Sequence, residues 1–292
     1  MNRIVKNIVL VTALMILLGV NAQQDPTYTL YAYNMNVVNP GFAGSVEGSQ
    51  LTANFRSQWV GIPDSPEIQS FSYATAVGER IGLGVSVINS QVFVLGETDL
   101  YADFSYKVPI SRFTDLYLGV KAGGSSIKID LDRAEVVDDP VFTENVSRFN
   151  PNIGVGAYLK GERFWISASA PTLLKSDRFE KEAEVVTTAT DQLHFFMGGG
   201  YTFFMDRDVT FTPSLMARTV QGTPLSLDLT ATFGIYERIE LGINHRLEES
   251  ISGIAFFNAA EWVAIGYAYE GAITQVNDYA RGTHEVMMRF RW

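Results

Sequence analysis

The sequence has no cysteine, which excludes disulfides, a thiolate nucleophile and a lipid-acylated lipoprotein cysteine. Histidine is nearly missing as well: His194, His245 and His284 are the only three, and their positions show no metal-ligand spacing. Cations are outnumbered, 22 Lys and Arg against 32 Asp and Glu, for a formal charge of −10 and a pI near 4.8. Nucleic-acid phosphates demand clustered Lys and Arg, so no nucleic-acid partner is expected. Beyond the first residues there is also no apolar run long enough for a membrane-spanning helix. If the chain enters a bilayer, it does so as strands.

What is present begins with an export signal. Met1 to Ala22 place Arg3 and Lys6 ahead of the apolar run Ile8 to Val20, then a small residue. That pattern is a secretory signal peptide, with cleavage expected before Gln23. A single-pass anchor would need about 20 uninterrupted apolar residues, and this run is shorter and ends in Asn21-Ala22-Gln23-Gln24.

Most of the remaining chain alternates with period two. Ile81, Leu83, Val85 and Val87 interleave with Gly82, Gly84 and Ser86, and Val263, Ile265, Tyr267 and Tyr269 with Ala264, Gly266 and Ala268. A soluble sandwich would carry longer polar residues on its wet face. Here that face is small, and the charges that occur, Asp103, Lys107, Lys121, Glu240 and Arg246, share it. An apolar exterior in lipid and a partly wet lumen explain both features.

The fold class predicted is all-β, a transmembrane antiparallel β-barrel of about 14 strands, an even number as closure expects. Strand starts are expected at Gln50, Glu67, Arg80, Glu97, Phe113, Asn150, Arg163, Asp191, Asp208, Pro224, Arg238, Ile251, Glu261 and Arg281. Connections Gly78-Glu79-Arg80, Gly161-Glu162-Arg163, Met205 to Asp208 and Tyr236-Glu237-Arg238 are short, as periplasmic turns should be. The longer stretches 127–148, 171–190 and 270–280 fall on the opposite phase. The last strand alternates Val286, Met288, Phe290 and Trp292, and the terminal aromatics Phe290 and Trp292 read as a barrel-assembly signal.

Three regions follow: a signal peptide over 1–22, an N-terminal arm over 23–49 and an outer-membrane barrel over 50–292. The arm carries Tyr28, Tyr31, Tyr33 and Phe42, while Pro26 and Pro40 oppose regular helix or central strand. A free periplasmic leader would leave four aromatics in water. The arm is therefore expected to fold into the lumen as a plug, against the glycine-rich face that makes room for it.

Catalysis finds little support. His284 and Glu285 could form a general-base pair, but strand alternation puts them on opposite faces, so a structural role at the outer rim is expected. Gly198-Gly199-Gly200 is flanked by Phe195-Phe196-Met197 and Tyr201 with no helix following, so it is not a phosphate loop. The stretch 127–148 is acidic (Asp130, Asp132, Glu135, Asp138, Asp139, Glu144) but lacks an ordered calcium-loop spacing and reads as a solvated loop. No cofactor is expected. A lipid-modifying enzyme trails because no Ser-His-Asn site assembles from the sequence.

Motifs near both ends resemble the PorP/SprF family of the type IX secretion system in gram-negative bacteria. At the start they are Asp25-Pro26, Tyr33-Asn34, Asn39-Pro40-Gly41-Phe42-Ala43-Gly44 and Arg56-Ser57-Gln58-Trp59. Near the end they are Gly266-Tyr267-Ala268-Tyr269 and Gly282-Thr283-His284-Glu285. Glu270 stands where the family usually has Asp, and Met35-Asn36 replaces a common Pro-Leu. The resemblance implies a non-enzymatic outer-membrane component, working with the type IX machinery amid outer-membrane lipid. It further implies help in exporting a partner adhesin and holding it at the surface, a role that supports gliding motility in some bacteria. The three long outer loops are the expected cargo surface. The alternative is a porin or hydrophobic-substrate uptake channel.

Overall fold

The computed structural model describes residues 27–130, 146–174, 193–220 and 224–292. The expected leader, Asp25, Pro26, and most of the stretches 127–148 and 171–190 lie outside those residues.

Fourteen antiparallel strands close into one barrel. The first seven are β1 (Ser49–Ser57), β2 (Glu67–Val77), β3 (Ile81–Val92), β4 (Leu95–Ser111), β5 (Thr114–Ile129), β6 (Val146–Gly161) and β7 (Phe164–Ala170). Then come β8 (His194–Tyr201, resuming at Phe203–Phe204), β9 (Val209–Val220), β10 (Ser226–Ile235), β11 (Ile239–Arg246), β12 (Ser250–Ala260), β13 (Val263–Ala272) and β14 (Thr283–Arg291). Each begins close to its expected start; the widest departure is β6, at Val146 rather than Asn150.

Closure joins first strand to last, from Gln50 opposite Arg291 to Ser57 opposite His284. The Trp292 N–H donates to the Ser49 carbonyl at 3.1 Å and the Ser49 N–H to the Trp292 carbonyl at 2.8 Å. Among the described residues no strand is left at an open edge, which is the condition for strands to exist in hydrocarbon.

The barrel is inside out relative to a soluble protein. Val120 is 53% exposed while its chain neighbour Lys121 is 1% exposed. Phe71, Leu83, Phe104, Leu118, Ile166 and Leu241 face outward in the same way, while Ser72, Ser86, Asp103, Ser105 and Asn244 are buried inside. An apolar surface of this extent needs lipid against it.

The break in β8 has a local cause. Pro213 lies in β9 opposite Ala231 and has no N–H to give β8 on its other side. The β8–β9 register runs to Gly200 opposite Ser214 and resumes at Phe203 opposite Phe211. Between them the Thr212 hydroxyl donates to the Thr202 hydroxyl at 3.0 Å.

One end carries the turns 78–80, 112–113, 162–163, 205–208, 236–238 and 261–262 together with Ser49 and Trp292. The other carries the long connections, although 93–94 and 247–249 there are tight. Strands β4, β5 and β6, at 17, 16 and 16 residues, exceed the roughly 9–11 that span a bilayer, so they project beyond it at that end.

Candidate functional site

The bore is occupied by the chain's own N-terminal segment. Residues 27–45 form three single turns of 3-10 helix, Tyr31–Tyr33, Met35–Val37 and Pro40–Phe42. Such turns suit a segment with proline and no strand partner. Pro40 opens the last of them, and the Asn39 side chain accepts from the Gly41 N–H at 2.8 Å, supplying the cap.

Tyr28, Tyr31, Met35, Val37, Val38 and Phe42 pack with Ile68, Ile88, Tyr117, Tyr158, Phe196 and Met216 of the wall. Leu30 packs with Ile254, Phe256, Ala264, Ala268 and Met287. Each such side chain withdrawn from water contributes about 1.5–3 kcal/mol, so several together hold the arm against its ordering entropy.

Wall glycines let the arm's backbone approach the wall backbone. A Cβ at Gly119 would collide with the Gly41 nitrogen and the Pro40 carbonyl, and one at Gly156 with the Asn39 side chain. Asn39 uses that proximity to donate to the Ala157 carbonyl at 2.9 Å and the Ser167 hydroxyl at 2.7 Å. At the short-turn end Lys160 Nζ donates to the Ser45 carbonyl at 2.7 Å.

Toward the long-loop end, buried charges meet the arm. Arg56 on β1 pairs with Glu285 on β14 at 3.2 Å and with Glu270 on β13 at 3.0 Å. Arg246 on β11 pairs with Asp228 on β10 at 2.9 Å and lies 3.6 Å from Glu270. Two cations face three carboxylates, and the arm supplies the missing donors. The Thr29 N–H donates to Glu285 at 2.7 Å, the Leu30 N–H at 3.3 Å, and the Thr29 hydroxyl donates to Glu270 at 2.8 Å. Arg246 in turn donates to the Tyr28 carbonyl at 3.0 Å. Ions taken out of water need this degree of hydrogen bonding to persist.

Two further clusters repeat the logic. Lys121 pairs with Asp103 at 3.0 Å and donates to the Asn36 carbonyl at 3.3 Å, while the Asn36 amide donates to Asp103 at 3.3 Å. Tyr33 stacks on Phe256, ring centroids 4.4 Å apart and 9° from parallel, and its hydroxyl donates to Glu240 at 2.6 Å. The charges on the small face in the sequence (Asp103, Lys121, Glu240 and Arg246) thus converge on the arm, while Lys107 pairs with Asp115 at 2.9 Å.

The motif residues divide between the two faces of the wall. Asn39, Pro40, Gly44, Arg56, Gly266 and Glu285 face the bore or lie in it, Gly266 directly beneath the Phe256 ring. Tyr267, Tyr269 and His284 face outward: the Tyr267 hydroxyl meets His284 Nδ1 at 2.7 Å, and the Tyr269 hydroxyl donates to the Arg281 carbonyl at 3.3 Å beside Gly282. Gln58 and Trp59 begin the β1–β2 connection, where the Gln58 N–H donates to the Pro66 carbonyl at 2.9 Å and the Trp59 N–H to the Thr283 hydroxyl at 3.1 Å. Phe290 stacks on Trp262 and Trp292 on Tyr73 at the seam's lower end.

His284 and Glu285 do part company, but an outer-rim role fits only His284. Glu285 is 0% exposed and lies at the centre of the charged cluster, because the face opposite the lipid is the bore. Sequence reasoning did not assign Glu270, Asp228 or Arg246 to any site. The available signal was a charged residue on the small face near the long-loop end of each strand. Among the described residues no group of three or more His, Asp or Glu is placed to hold a metal. The remaining space in the bore is divided. A cavity of about 100 Å³ sits above the arm, lined by Tyr28, Val38, Ile88, Tyr101 and Phe196. One of about 620 Å³ lies at the short-turn mouth beside Ser45, Glu47, Lys107 and Lys160.

A closed barrel with a lipid-facing exterior and a bore filled by its own arm defines an outer-membrane β-barrel. The family described as type IX secretion system membrane protein PorP/SprF matches residues 20–290, and the chain belongs to it. It is thus a membrane component of that secretion system; the family implies association with the type IX machinery, and family and fold are of a non-enzymatic membrane-component kind. Among solved structures, the CymD monoaromatic hydrocarbon channel is similar in fold: TM-score 0.53, 10% identity, 92% of this chain and 95% of that chain covered. The Ralstonia pickettii toluene transporter TbuX (TM-score 0.49, 9% identity, 87% and 92% covered) also matches. So does Acinetobacter baumannii Omp33 (0.48, 10%, 83% and 98%). Comparison with curated proteins gave no match.

Proposed function

We propose that this barrel is a sealed scaffold that helps export a partner adhesin and retains it at the cell surface, supporting gliding where the organism glides. The observation that carries this reading is the arm: a bore filled by Tyr28 to Phe42 and tied at both ends leaves the outer loops as the working surface. The long connections 127–148, 171–190 and 270–280 are the proposed cargo contacts. Deleting the gene and cataloguing surface and released proteins tests it. Loss of one or a few secreted proteins is the expected result, and a normal surface proteome overturns the reading.

A second reading, a hydrophobic-substrate uptake channel, draws on the fold likeness to CymD. It requires the arm to leave the bore. A deletion strain with impaired uptake of an apolar nutrient and an intact surface proteome would favour it.

A further inference from the structure

At the short-turn end of the bore, β14 carries two arginines on its inward side, Arg289 and Arg291, one pleat apart. Arg289 is 8% exposed and lies over the Phe256 ring at 4.7 Å and the Tyr33 ring at 5.8 Å. Among the described residues its side chain makes neither a hydrogen bond nor an ion pair. Ring stacking satisfies the guanidinium's face, while its five N–H donors lie in the plane and meet no protein acceptor among the described residues. Arg291, on the exposed step nearer the mouth, donates through Nε to the Gln50 side chain at 3.0 Å and likewise forms no ion pair among the described residues.

Every other strongly buried cation in the bore has a carboxylate. Arg56 has Glu285 and Glu270, Lys121 has Asp103, and Arg246 has Asp228. The acidic side chain facing the two arginines is Glu240, which accepts from the Tyr33 hydroxyl and acts on both only at longer range. Lys160 adds a third positive charge within electrostatic reach of Arg291. A largely buried guanidinium beside a second one, with in-plane donors that no protein acceptor takes among the described residues, favours an oxyanion.

We propose that Arg289 and Arg291, with the Gln50 side chain fixing the second, form an oxyanion-binding site entered from the short-turn mouth. Its ligand is one carboxylate or phosphate, accepted edge-on by the two guanidinium forks. Because Arg289 also stacks on Tyr33 of the arm, the site reads whether the arm is seated.

Calorimetric titration of the folded full-length barrel in detergent tests the site, using inorganic phosphate, acetate and a short Glu-rich peptide as separate probes. Saturable binding of at least one probe is expected, weakened at least tenfold by R289Q and by R291Q and unchanged by Arg112→Gln at the rim. Phosphate alone binding points to a free ion as the source, and tighter peptide binding points to a polypeptide carboxylate. Absence of saturable binding by all three, or binding that survives both R289Q and R291Q, overturns the proposal. Should R289Q fail to fold, R291Q at the exposed step decides the matter by itself.

Discussion

Arg56 and Glu285 are register partners across the seam where the first strand meets the last, and their side chains form a 3.2 Å ion pair inside the bore. The same contact therefore ties barrel closure to arm seating, since Glu285 also accepts the Thr29 and Leu30 N–H groups. Glu285→Ala leaves Arg56 buried with one carboxylate fewer and two arm donors unmet. A loss of about 3–5 kcal/mol is expected, read as a lower urea midpoint for the folded barrel. Glu285→Asp should recover part of it.

Removing the arm should open the bore. Deletion of residues 25–42 takes away the arm's side chains from both apolar clusters while leaving every strand intact. In planar bilayers the full chain is expected to show little ion conductance and the deleted chain a steady, porin-like current. Equal conductance and equal stability in the two would sink the plug assignment.

A single wall residue should do the same from the other side. Gly119→Leu places a side chain where the Gly41 and Pro40 backbone lies, and no rotamer avoids the collision of the Cβ itself. The barrel can still pair its strands, so the expected outcome is a folded barrel with raised conductance and a protease-accessible arm. Val120→Ile, one residue along but facing lipid, is the matched control and should leave both unchanged.

His284 and Glu285 should behave as unrelated residues despite adjacency. His284→Ala removes the contact with Tyr267 on the outer wall and touches none of the bore's charges. Its effect is expected to stay within about 1 kcal/mol, the worth of one hydrogen bond, with conductance unaltered. Comparing the two variants by urea unfolding and bilayer recording separates outer from inner face.

Trp292 closes the hydrogen-bonded seam with Ser49 and stacks on Tyr73 at 6.1 Å. Trp292→Ala preserves the backbone bonds, so the folded barrel should retain most of its stability. Assembly in cells should fall several-fold if the terminal aromatic is read as a signal, measured as heat-modifiable barrel in the membrane fraction.

The chain's alternation by itself determined the all-β barrel, the strand starts and the sorting of Asp103, Lys121, Glu240 and Arg246 to the inner face. Period two depends only on the local pleat, so it is legible residue by residue. The break in β8 was less so, because Pro213 acts on a neighbouring strand rather than on its own. Only the tertiary structure decided that Arg56, Glu270 and Glu285 meet Arg246, Asp228 and Thr29 in one cluster. That meeting depends on closure of β1 against β14 and on an arm threaded back past strands far away in sequence. It also reversed the meaning of Glu285: a strand end that looked like a rim in sequence faces the arm once the sheet is curved into a bore.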